Sequence, residues 1–565
     1  SNDAGVSWST VTGNGEGELS VSGANRVGLA ISPQDPNYVY ALISVSGRMG
    51  GVYASTDGGV TWFNVWPEND IQNTNIDIDP FGENTQGGYD LVITVDPTDK
   101  ERIIVGGVTL WEGGINTQPQ RLAYNFGFGA NYVHSDIHHF EWLNNQLYIG
   151  CDGGIFKSND VTVSDSPIFV ESNFGYNTTQ FYGIGISTTG KVNGGTQDNS
   201  TFLVGPGSTL GVNQFGGDGF DTDISAVSDL AQFVTSQYGS LGRSFDGGNS
   251  FNSFYDVELS TLLQEGESNF PFYNIVRLFE NTNDSFSQQI MRFVANEDTI
   301  PSGTTITVLT NNLNQPVEHV LEDTLFIRPQ LTVPQEVITE TEDSLITLTY
   351  DFDETEYSSE DFSFTETIEI GITDVTVTLP NENIVIDEST LEGIVSVTVQ
   401  FTEDIEVATI EDVTLFNVPD TLEIIDPYTS LFAVYAYDGV YVTRQALDGN
   451  TTPDWTKVVS GNFGVNAIEF SLDGNHMYLA SGSGNVTRVS GFHDFWGDED
   501  VSELTETRIF RTNGTVTGIG VDPNNANRIA VAVGGYGGSG KVWITDVATT
   551  ATQTNNTEFF DNIWF

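Results

Sequence analysis

Residues 55–62 read Ser-Thr-Asp-Gly-Gly-Val-Thr-Trp, and this short stretch decides the fold. The same spacing, S-x-D-x-G-x-[ST]-aromatic, recurs at residues 1–8 and 244–251. In each copy the aspartate can accept hydrogen bonds from its own turn, and the glycine supplies a positive φ. The aromatic side chain is then expected to return to an apolar layer between sheets. The aspartate and aromatic positions are Asp3 and Trp8, Asp57 and Trp62, and Asp246 and Phe251. The repeat predicts a structural turn at the outer edge of a β-hairpin rather than a catalytic motif.

The composition excludes several classes of partner. The 565 residues include 78 acidic and 18 basic side chains, for a formal net charge of −60. Such a surface repels phosphate backbones and anionic lipid headgroups, so neither nucleic-acid binding nor membrane binding is expected. No apolar run approaches the roughly 20 residues of a membrane-spanning helix, so membrane insertion is not expected either. Cys151 is the only cysteine, which excludes an internal disulfide.

Alternating apolar residues, separated by glycine- and proline-rich turns, predict about eight four-stranded units and no helix. The units are expected to begin near Val27, Tyr89, Tyr132, Gln180, Gly216, Phe272, Val465 and Val516. This pattern is typical of an all-β, multi-bladed β-propeller, and 60 glycines suit its many tight turns. Two smaller propellers are the alternative, because the strands alone do not fix how the sheets close.

An acidic insert interrupts the sixth unit. Residues 301–426 contain Arg328 as their only lysine or arginine, and their strands alternate β-branched with acidic residues. This alternation predicts a β-sandwich or extended hairpins with one solvated face. The predicted domains are therefore 1–300 and 427–565 for the propeller and 301–426 for the insert. The insert is either a charged solubilising segment or a binding or spacer module.

Six short motifs occur in a fixed order in the first half of the chain. They are Tyr89-Asp90-Leu91, His134-Ser-Asp136-Ile-His138, Asp152-Gly-Gly154, Gln180-Phe-Tyr182, Gly195-Thr-Gln197-Asp198-Asn199 and Gly216-Gly-Asp218-Gly219. Together with the eight-residue repeat, known as the Asp-box or BNR repeat, they resemble the sortilin-like, sialidase-superfamily propellers secreted by Bacteroidetes. The resemblance covers nearly all of residues 1–300 and 427–565. It implies a bacterial, extracellular or cell-surface protein, commonly exported by type IX secretion.

Members of that family are often labelled glycosyl hydrolases, but the label does not establish an activity. The Arg-Ile-Pro signature of sialidases is absent, since residues 326–329 of the insert read Phe-Ile-Arg-Pro. A xyloglucanase-type site needs two carboxylates across an open cleft, and 78 acidic residues leave that pair undefined. The candidate ligand and channel residues are Asp90, His134, Asp136, His138, Asp152, Gln197, Asp198 and Asp218. Asp90, Asp136 and Asp218 are among them because inner-strand ends line the channel of a propeller.

His134, Asp136 and His138 alternate as residues on one face of a strand would, and together could hold a transition metal such as zinc. Positions i and i+4 on a strand are about 13 Å apart, too far for one ion to reach both histidines without a bend. The favoured interpretation is therefore a row of hydrogen-bonded channel residues in which Asp136 sets the histidine tautomers. The alternative joins Asp136 and one histidine with Asp152 or Asp218 around calcium or zinc. No cofactor is expected to be required.

The leading functional prediction is a secreted or surface-attached, non-catalytic propeller that binds an extracellular glycan or protein, as an adhesin or structural surface component. The alternatives are a glycoside hydrolase acting on an extracellular polysaccharide and a sortilin-like peptide-binding module. Residues 1–10 are expected to dock beside the C-terminal blade, because a propeller avoids open edges. Otherwise this N-terminal strand, or a propeller edge, would mediate self-association.

Overall fold

The computed structural model consists mainly of antiparallel β-sheets that follow one another along the chain. It describes residues 5–13, 15–66, 80–82, 86–125, 131–164, 166–176, 179–264, 269–339, 342–351, 364–370, 373–379, 384–387, 392–401, 408–534, 541–552 and 560–562. Eight of the sheets repeat the predicted units. Seven of these are four-stranded and the fifth is three-stranded.

The first four sheets each take their strands in chain order. The strands of the first two sheets are β1 Ala24–Ile31, β2 Val39–Val45, β3 Arg48–Ser55, β4 Phe63–Trp66, β5 Val92–Val95, β6 Arg102–Gly106, β7 Leu110–Gly114 and β8 Gln120–Ala123. The strands of the third and fourth are β9 Ile137–Leu143, β10 Gln146–Cys151, β11 Gly154–Ser158, β12 Val170–Glu171, β13 Phe181–Ile186, β14 Val192–Thr196, β15 Thr201–Val204 and β16 Gly211–Phe215. A single-turn 3₁₀ helix, Gln86–Gly88, precedes β5.

The fifth sheet contains β17 Thr222–Ile224, β18 Gln232–Thr235 and β19 Leu241–Ser244, and an isolated bridge from Arg243 to Asn252 stands where a fourth strand would pair. The sixth sheet pairs β20 Val276–Asn281 with strands from beyond the insert, β33 Thr429–Ala436, β34 Gly439–Thr443 and β35 Thr456–Ser460. The last two sheets contain β36 Val465–Phe470, β37 His476–Ser481, β38 Asn485–Ser490, β39 Thr505–Arg511, β40 Thr515–Asp522, β41 Asn525–Gly534, β42 Lys541–Thr545 and β43 Phe560–Asn562.

Apolar clusters join successive sheets face to face. One cluster combines Leu42 and Trp66 of the first sheet with Ile93 and Trp111 of the second. Similar clusters join the second sheet to the third, the fifth to the sixth, the sixth to the seventh and the seventh to the eighth. Four-stranded antiparallel sheets that pack on their neighbours in this way are the blades of a propeller. The chain is therefore an all-β, multi-bladed β-propeller, as the sequence predicted.

The insert forms a separate set of strands between β20 and β33. These are β21 Ile290–Val294, β22 Thr299–Ile300, β23 Thr305–Leu309, β24 Pro316–Val320, β25 Leu325–Thr339, β26 Glu342–Asp351, β27 Phe364–Ile370, β28 Thr373–Leu379, β29 Ile384–Asp387, β30 Glu392–Phe401, β31 Ala408–Pro419 and β32 Thr421–Ile425. β21 pairs with β32, β23 pairs with β24, and the other eight strands form one sheet. The strands of the insert thus begin at Ile290, before the expected boundary at residue 301. A small apolar cluster of their own includes Met291, Val308 and Leu325.

The internal contacts of the chain divide it into two compact units. Unit 1 is Ser1–Ile184, Asn193–Asp221 and Val234–Gln237, and unit 2 is Gly185–Val192, Thr222–Phe233 and Tyr238–Phe565. No helix among the described residues has both the length and the apolar character needed to cross a membrane.

The prediction that the chain lacks helices is wrong. An α-helix, α1, spans Val257–Gln264 in unit 2, and a short 3₁₀ helix spans Asp498–Glu503. Asp256 caps α1, because its Oδ1 accepts a hydrogen bond from the N–H of Leu259 at 2.9 Å. Leu259 is completely buried, and Leu262 and Leu263 pack against the same apolar cluster, so an apolar face and one cap position the helix.

The predicted N-terminal hairpin also differs from the structure. Residues 1–4, including Asp3, lie outside the described residues, and residues 5–10 contain no strand. Trp8 is 81% exposed rather than packed in an apolar layer, and its Nε1 donates to Gly5 O within its own turn. The four strands of the C-terminal sheet all come from residues 515–562.

The two other Asp-boxes have the bonding that their sequences predict. Asp57 Oδ1 accepts hydrogen bonds from the N–H groups of Val60 and Thr61, and its Oδ2 accepts one from the Thr61 hydroxyl at 2.6 Å. Asp246 binds the N–H and hydroxyl of Ser250 in the same way. Trp62 is buried, with Nε1 donating to the carbonyl of Gly59. These aspartates are therefore occupied in holding their own turns.

We expect Asp57→Ala to lower the midpoint of thermal unfolding without changing ligand binding. Hydrogen bonds from Thr61 and Ser55 lower the pKa of Asp57 to about 2. Because this pKa lies below the ordinary value of about 4, the stabilisation is complete above pH ~4 and is lost as the pH falls towards 2. Thermal unfolding across this range should show the difference between wild type and variant narrowing at low pH. A difference independent of pH would contradict this account.

Candidate functional site

Strand pairing brings Asp136 and Asp152 together at one end of the third sheet. Asp136 immediately precedes β9 and Asp152 immediately follows β10, and these antiparallel strands end on the pair Ile137 and Cys151. The N–H of Asp152 donates to the carbonyl of Asp136 at 3.2 Å. Asp136 has φ +62°, a left-handed conformation that aspartate tolerates better than most residues. The turn therefore places two carboxylates at the same sheet edge.

Asp152 is held by two side chains from different elements. His138 Nε2 lies 2.7 Å from its Oδ1, and the Tyr89 hydroxyl donates to its Oδ2 at 3.1 Å. The rings of Tyr89 and His138 also meet edge to face, with centroids 4.8 Å apart. Since both oxygens of Asp152 already accept a bond, the position of this carboxylate is fixed by its neighbours.

Asp198 approaches from the turn between β14 and β15. His134 Nε2 lies 2.8 Å from the Asp198 carbonyl oxygen, and the Asp198 N–H donates to Asp218 Oδ1 at 2.6 Å. Asn199 Nδ2 donates to the carbonyl of Asp152 at 3.0 Å. Asp198, like Asp136, has a left-handed backbone, with φ +62°. Single oxygen atoms of Asp136, Asp152 and Asp198 all lie within 4.8 Å of one another.

Asp90 is the most enclosed of these carboxylates. It is completely buried, and neither of its oxygens has a hydrogen-bond partner among the described residues. Burial, with the adjacent Asp136 carboxylate as the second cause, raises the pKa of Asp90 to about 8. Its backbone N–H donates to Gln86 O, so the 3₁₀ helix before β5 holds the residue in place.

The local charge is strongly negative. Burial and the charge of Asp152 raise the pKa of Asp136, and burial with the charges of Asp152 and Asp218 raises that of Asp198 to about 7. Two unit charges about 5 Å apart repel by roughly 3 kcal/mol at an effective dielectric constant near 20. In the described part of the chain, the ion pairs of these carboxylates are confined to His138 with Asp152. A proton, a cation or a polar ligand would relieve this repulsion.

The eight candidate residues lie in one network of unit 1, but not as a single strand face. His134 and Asp136 precede β9, which begins at Ile137, and the φ of Asp136 breaks the alternation on which that expectation rested. Gln197 lies at the margin, where its Oε1 accepts a hydrogen bond from the Tyr182 hydroxyl at 2.6 Å. Sequence reasoning did not select Tyr89, Tyr182 or Asn199, although each stands inside one of the quoted motifs.

Two motif glycines make the approach of these loops possible. A Cβ on Gly153 would lie 2.3 Å from His134 Cγ, so this position must be free of a side chain. A Cβ on Gly195 would lie 1.9 Å from the carbonyl oxygen of Phe220. Since real Cβ contacts are much longer, both glycines are required by close packing rather than by backbone flexibility.

The chain is distantly similar to several solved structures. A GH74 enzyme from Niastella koreensis is 13% identical, and the alignment covers 96% of this chain and 72% of that chain, with a TM-score of 0.21. Sqt1 of Saccharomyces cerevisiae is 11% identical over 66% of this chain and 84% of that chain, with a TM-score of 0.21. YCF48 bound to D1 peptide is 11% identical over 45% and 71%, with a TM-score of 0.17. The fold is assigned from the sheets themselves.

No protein-family model matches the chain. No curated protein matches it either.

Proposed function

We propose that this chain is an extracellular, bacterial, non-catalytic β-propeller that binds a glycan at the site of unit 1. The observation that carries the proposal is the pair of exposed tyrosines beside the carboxylates. Tyr89 is 54% exposed and Tyr182 36% exposed, yet Asp152 and Gln197 fix their hydroxyl groups. Rigid aromatic faces beside hydrogen-bond acceptors suit a sugar, which offers an apolar ring face and donating hydroxyls.

The bonding of the acids favours binding over hydrolysis. A glycosidase needs an acid and a second carboxylate that both reach the scissile bond. Asp90, whose pKa is raised furthest in this group, is completely buried, and Asp152 already accepts bonds on both oxygens. The extracellular setting follows from the resemblance to secreted propellers, and the net charge of −60 suits a soluble surface in salt water.

A glycoside hydrolase is the second candidate because of one distance. Oxygens of Asp152 and Asp198 lie within 4.8 Å of each other, and retaining enzymes also use two neighbouring carboxyl groups, which lie about 5–5.5 Å apart. In that case Asp152 would be the nucleophile, oriented by His138 and Tyr89, and Asp198 the acid. The two functions differ in whether a bound polysaccharide gains reducing ends.

We expect Tyr89→Ala and Tyr182→Ala each to weaken polysaccharide binding by about tenfold or more, because each removes a fixed aromatic contact. Binding can be measured by affinity electrophoresis against a panel of extracellular polysaccharides, with reducing ends assayed in parallel. Tyr124→Ala is a matched control: Tyr124 is 56% exposed and follows β8, the strand of the second sheet farthest from β5.

Binding that is lost in both site variants, retained in the control and accompanied by no new reducing ends would support the proposal. Turnover that disappears in Asp152→Asn and Asp198→Asn would replace it with the hydrolase. Absence of binding to every polysaccharide of the panel would overturn both glycan-directed functions.

A further inference from the structure

We propose that Asp90, Asp136, Asp152 and Asp198 together bind one divalent cation, and that the ion is calcium. Oxygens of the last three already lie within 4.8 Å of one another. Two oxygens on opposite sides of a calcium ion are about 4.6–5.2 Å apart, so oxygens within 4.8 Å of one another are close enough to share a single ion. The proposal does not depend on the glycan assignment.

Asp90 provides an observation independent of this cluster of three. Its side chain has no solvent exposure, and both oxygens lack a hydrogen-bond partner in the described part of the chain. Its carboxyl is a neighbour of the Asp136 carboxyl. Asp136 Oδ1 is likewise buried and without a partner. Buried carboxylate oxygens are rarely left unsatisfied, and a cation would satisfy both residues.

The donor set selects a hard ion. Four carboxylates offer only oxygen, which suits calcium or magnesium rather than zinc. The histidines are already engaged: His138 Nε2 bonds to Asp152 and His134 Nε2 to the Asp198 carbonyl. Calcium accepts irregular sets of oxygens, whereas magnesium demands a near-ideal octahedron at about 2.0–2.1 Å. The ligands come from loops of different sheets, an arrangement that favours the more adaptable ion.

The surrounding bonds orient the ligands as supporting residues do in metal sites. His138 and the Tyr89 hydroxyl each use one oxygen of Asp152, which leaves a lone pair on each for an ion. Asp218 fixes the backbone N–H of Asp198. A bound ion would connect the second, third and fourth sheets within unit 1. It would also hold Tyr89 in place through Asp152.

The test is a calcium titration of the full chain after treatment with a chelator, at physiological ionic strength so that diffuse binding to the acidic surface is screened. Isothermal titration calorimetry should show one saturable site with tighter binding of Ca²⁺ than of Mg²⁺. Terbium can replace calcium, and excitation of tyrosine should sensitise its luminescence, because the Tyr89 hydroxyl lies 3.1 Å from Asp152 Oδ2. Tyr89→Phe should weaken calcium binding by about 10- to 100-fold, as expected for a supporting residue.

Removal of a direct ligand should have a larger effect. Asp136→Asn is expected to abolish saturable binding. Asp90→Asn should do the same without lowering the melting temperature of the metal-free protein, because the amide has the same shape as the carboxyl and can donate a hydrogen bond to Asp136. A variant that merely unfolds would lower that temperature. Glu141→Gln is the matched control, since Glu141 lies on β9 with its side chain 69% exposed and its loss removes the same charge.

Loss of calcium binding in Asp90→Asn and Asp136→Asn, with Glu141→Gln unchanged, would establish the site. Equal calcium affinity in wild type and both site variants would overturn it. The absence of any saturable Ca²⁺ or Tb³⁺ binding to wild type would also overturn it, with a shared proton as the remaining partner of Asp90. Tighter binding of Mg²⁺ would overturn the choice of ion.

Discussion

Replacement of Arg102 by methionine is expected to lower the free energy of unfolding by about 3–5 kcal/mol, because it leaves two buried carboxylates without their counter-ion. Arg102 Nη1 lies 2.8 Å from Asp96 Oδ2, and its Nε donates to Glu112 Oε2 at 2.9 Å. The two acidic side chains are only 1% and 6% exposed. Burial alone would lower the pKa of Arg102, but the hydrogen bonds and charges of Glu112 and Asp96 have the larger combined effect and raise it. Nη1 also donates to Val161 O, so the arginine ties β6 to the loop after β11.

Urea unfolding followed by tryptophan fluorescence measures this effect. Lys100→Met is the matched control, because the ion pair of Lys100 with Asp35 at 3.0 Å is solvent-accessible and should contribute little. Adding Asp96→Asn and Glu112→Gln to Arg102→Met should recover part of the lost stability, since the orphaned charges are then removed. Equal stability of Arg102→Met and Lys100→Met would show that the buried triad does not stabilise the sheet.

The blades were predictable because their signals are local. Apolar alternation and turn residues mark each strand, and the Asp57 box specifies its own hydrogen bonds within eight residues. A related turn at Ser158 and Asp160 was not detected in the sequence. The Ser158 hydroxyl donates to Asp160 Oδ1 at 2.7 Å, as in the boxes, but the N–H that donates to the Asp160 carboxylate belongs to Ile168. The longer loop changes the residue spacing of the motif but keeps the hydrogen bond between the serine hydroxyl and the aspartate carboxylate.

Two sequence predictions were wrong: that the chain contains no helix, and that Trp8 packs in an apolar layer. α1 has only eight residues, so its apolar period is too short to be distinguished from a loop, and its cap Asp256 resembles many turn aspartates. Trp8 matches the box in sequence, but burial of its ring depends on a neighbouring sheet that the motif does not encode. In both cases the outcome depends on tertiary packing.

The candidate site, too, could be predicted from the sequence only in part. The motifs selected residues that the structure brings into one network, because sheet pairing joins the end of β10 to the start of β9. His134 Nε2 bonds to the backbone carbonyl of Asp198. This partner could not be predicted, because a backbone carbonyl has no signature in the sequence. The complete burial of Asp90 was equally unpredictable, because it depends on packing around the start of β5.

We expect Gly195→Ala to disrupt this site more than Gly153→Ala would. The new Cβ would lie 1.9 Å from Phe220 O and 2.5 Å from Phe220 N. A Cβ on Gly219 would in turn lie 2.8 Å from the Gly195 Cα, so the two glycines pack backbone to backbone. The N–H of Gly219 donates to Thr196 O at 2.9 Å across the same contact. No rotamer change can relieve a clash with main-chain atoms, so the loops must separate.

That separation should reach Asp198, whose N–H is bonded to Asp218 on the loop between β16 and β17. We expect a loss of about 3 kcal/mol or more in stability, at the upper end for overpacking, together with loss of calcium and polysaccharide binding. Gly205→Ala is the matched control: Gly205 lies between β15 and β16, and a Cβ there meets nothing within 4 Å. Its stability should be unchanged or slightly higher. Urea unfolding and calcium titration of both variants measure the difference, and wild-type behaviour of Gly195→Ala would show that the two loops are not in backbone contact.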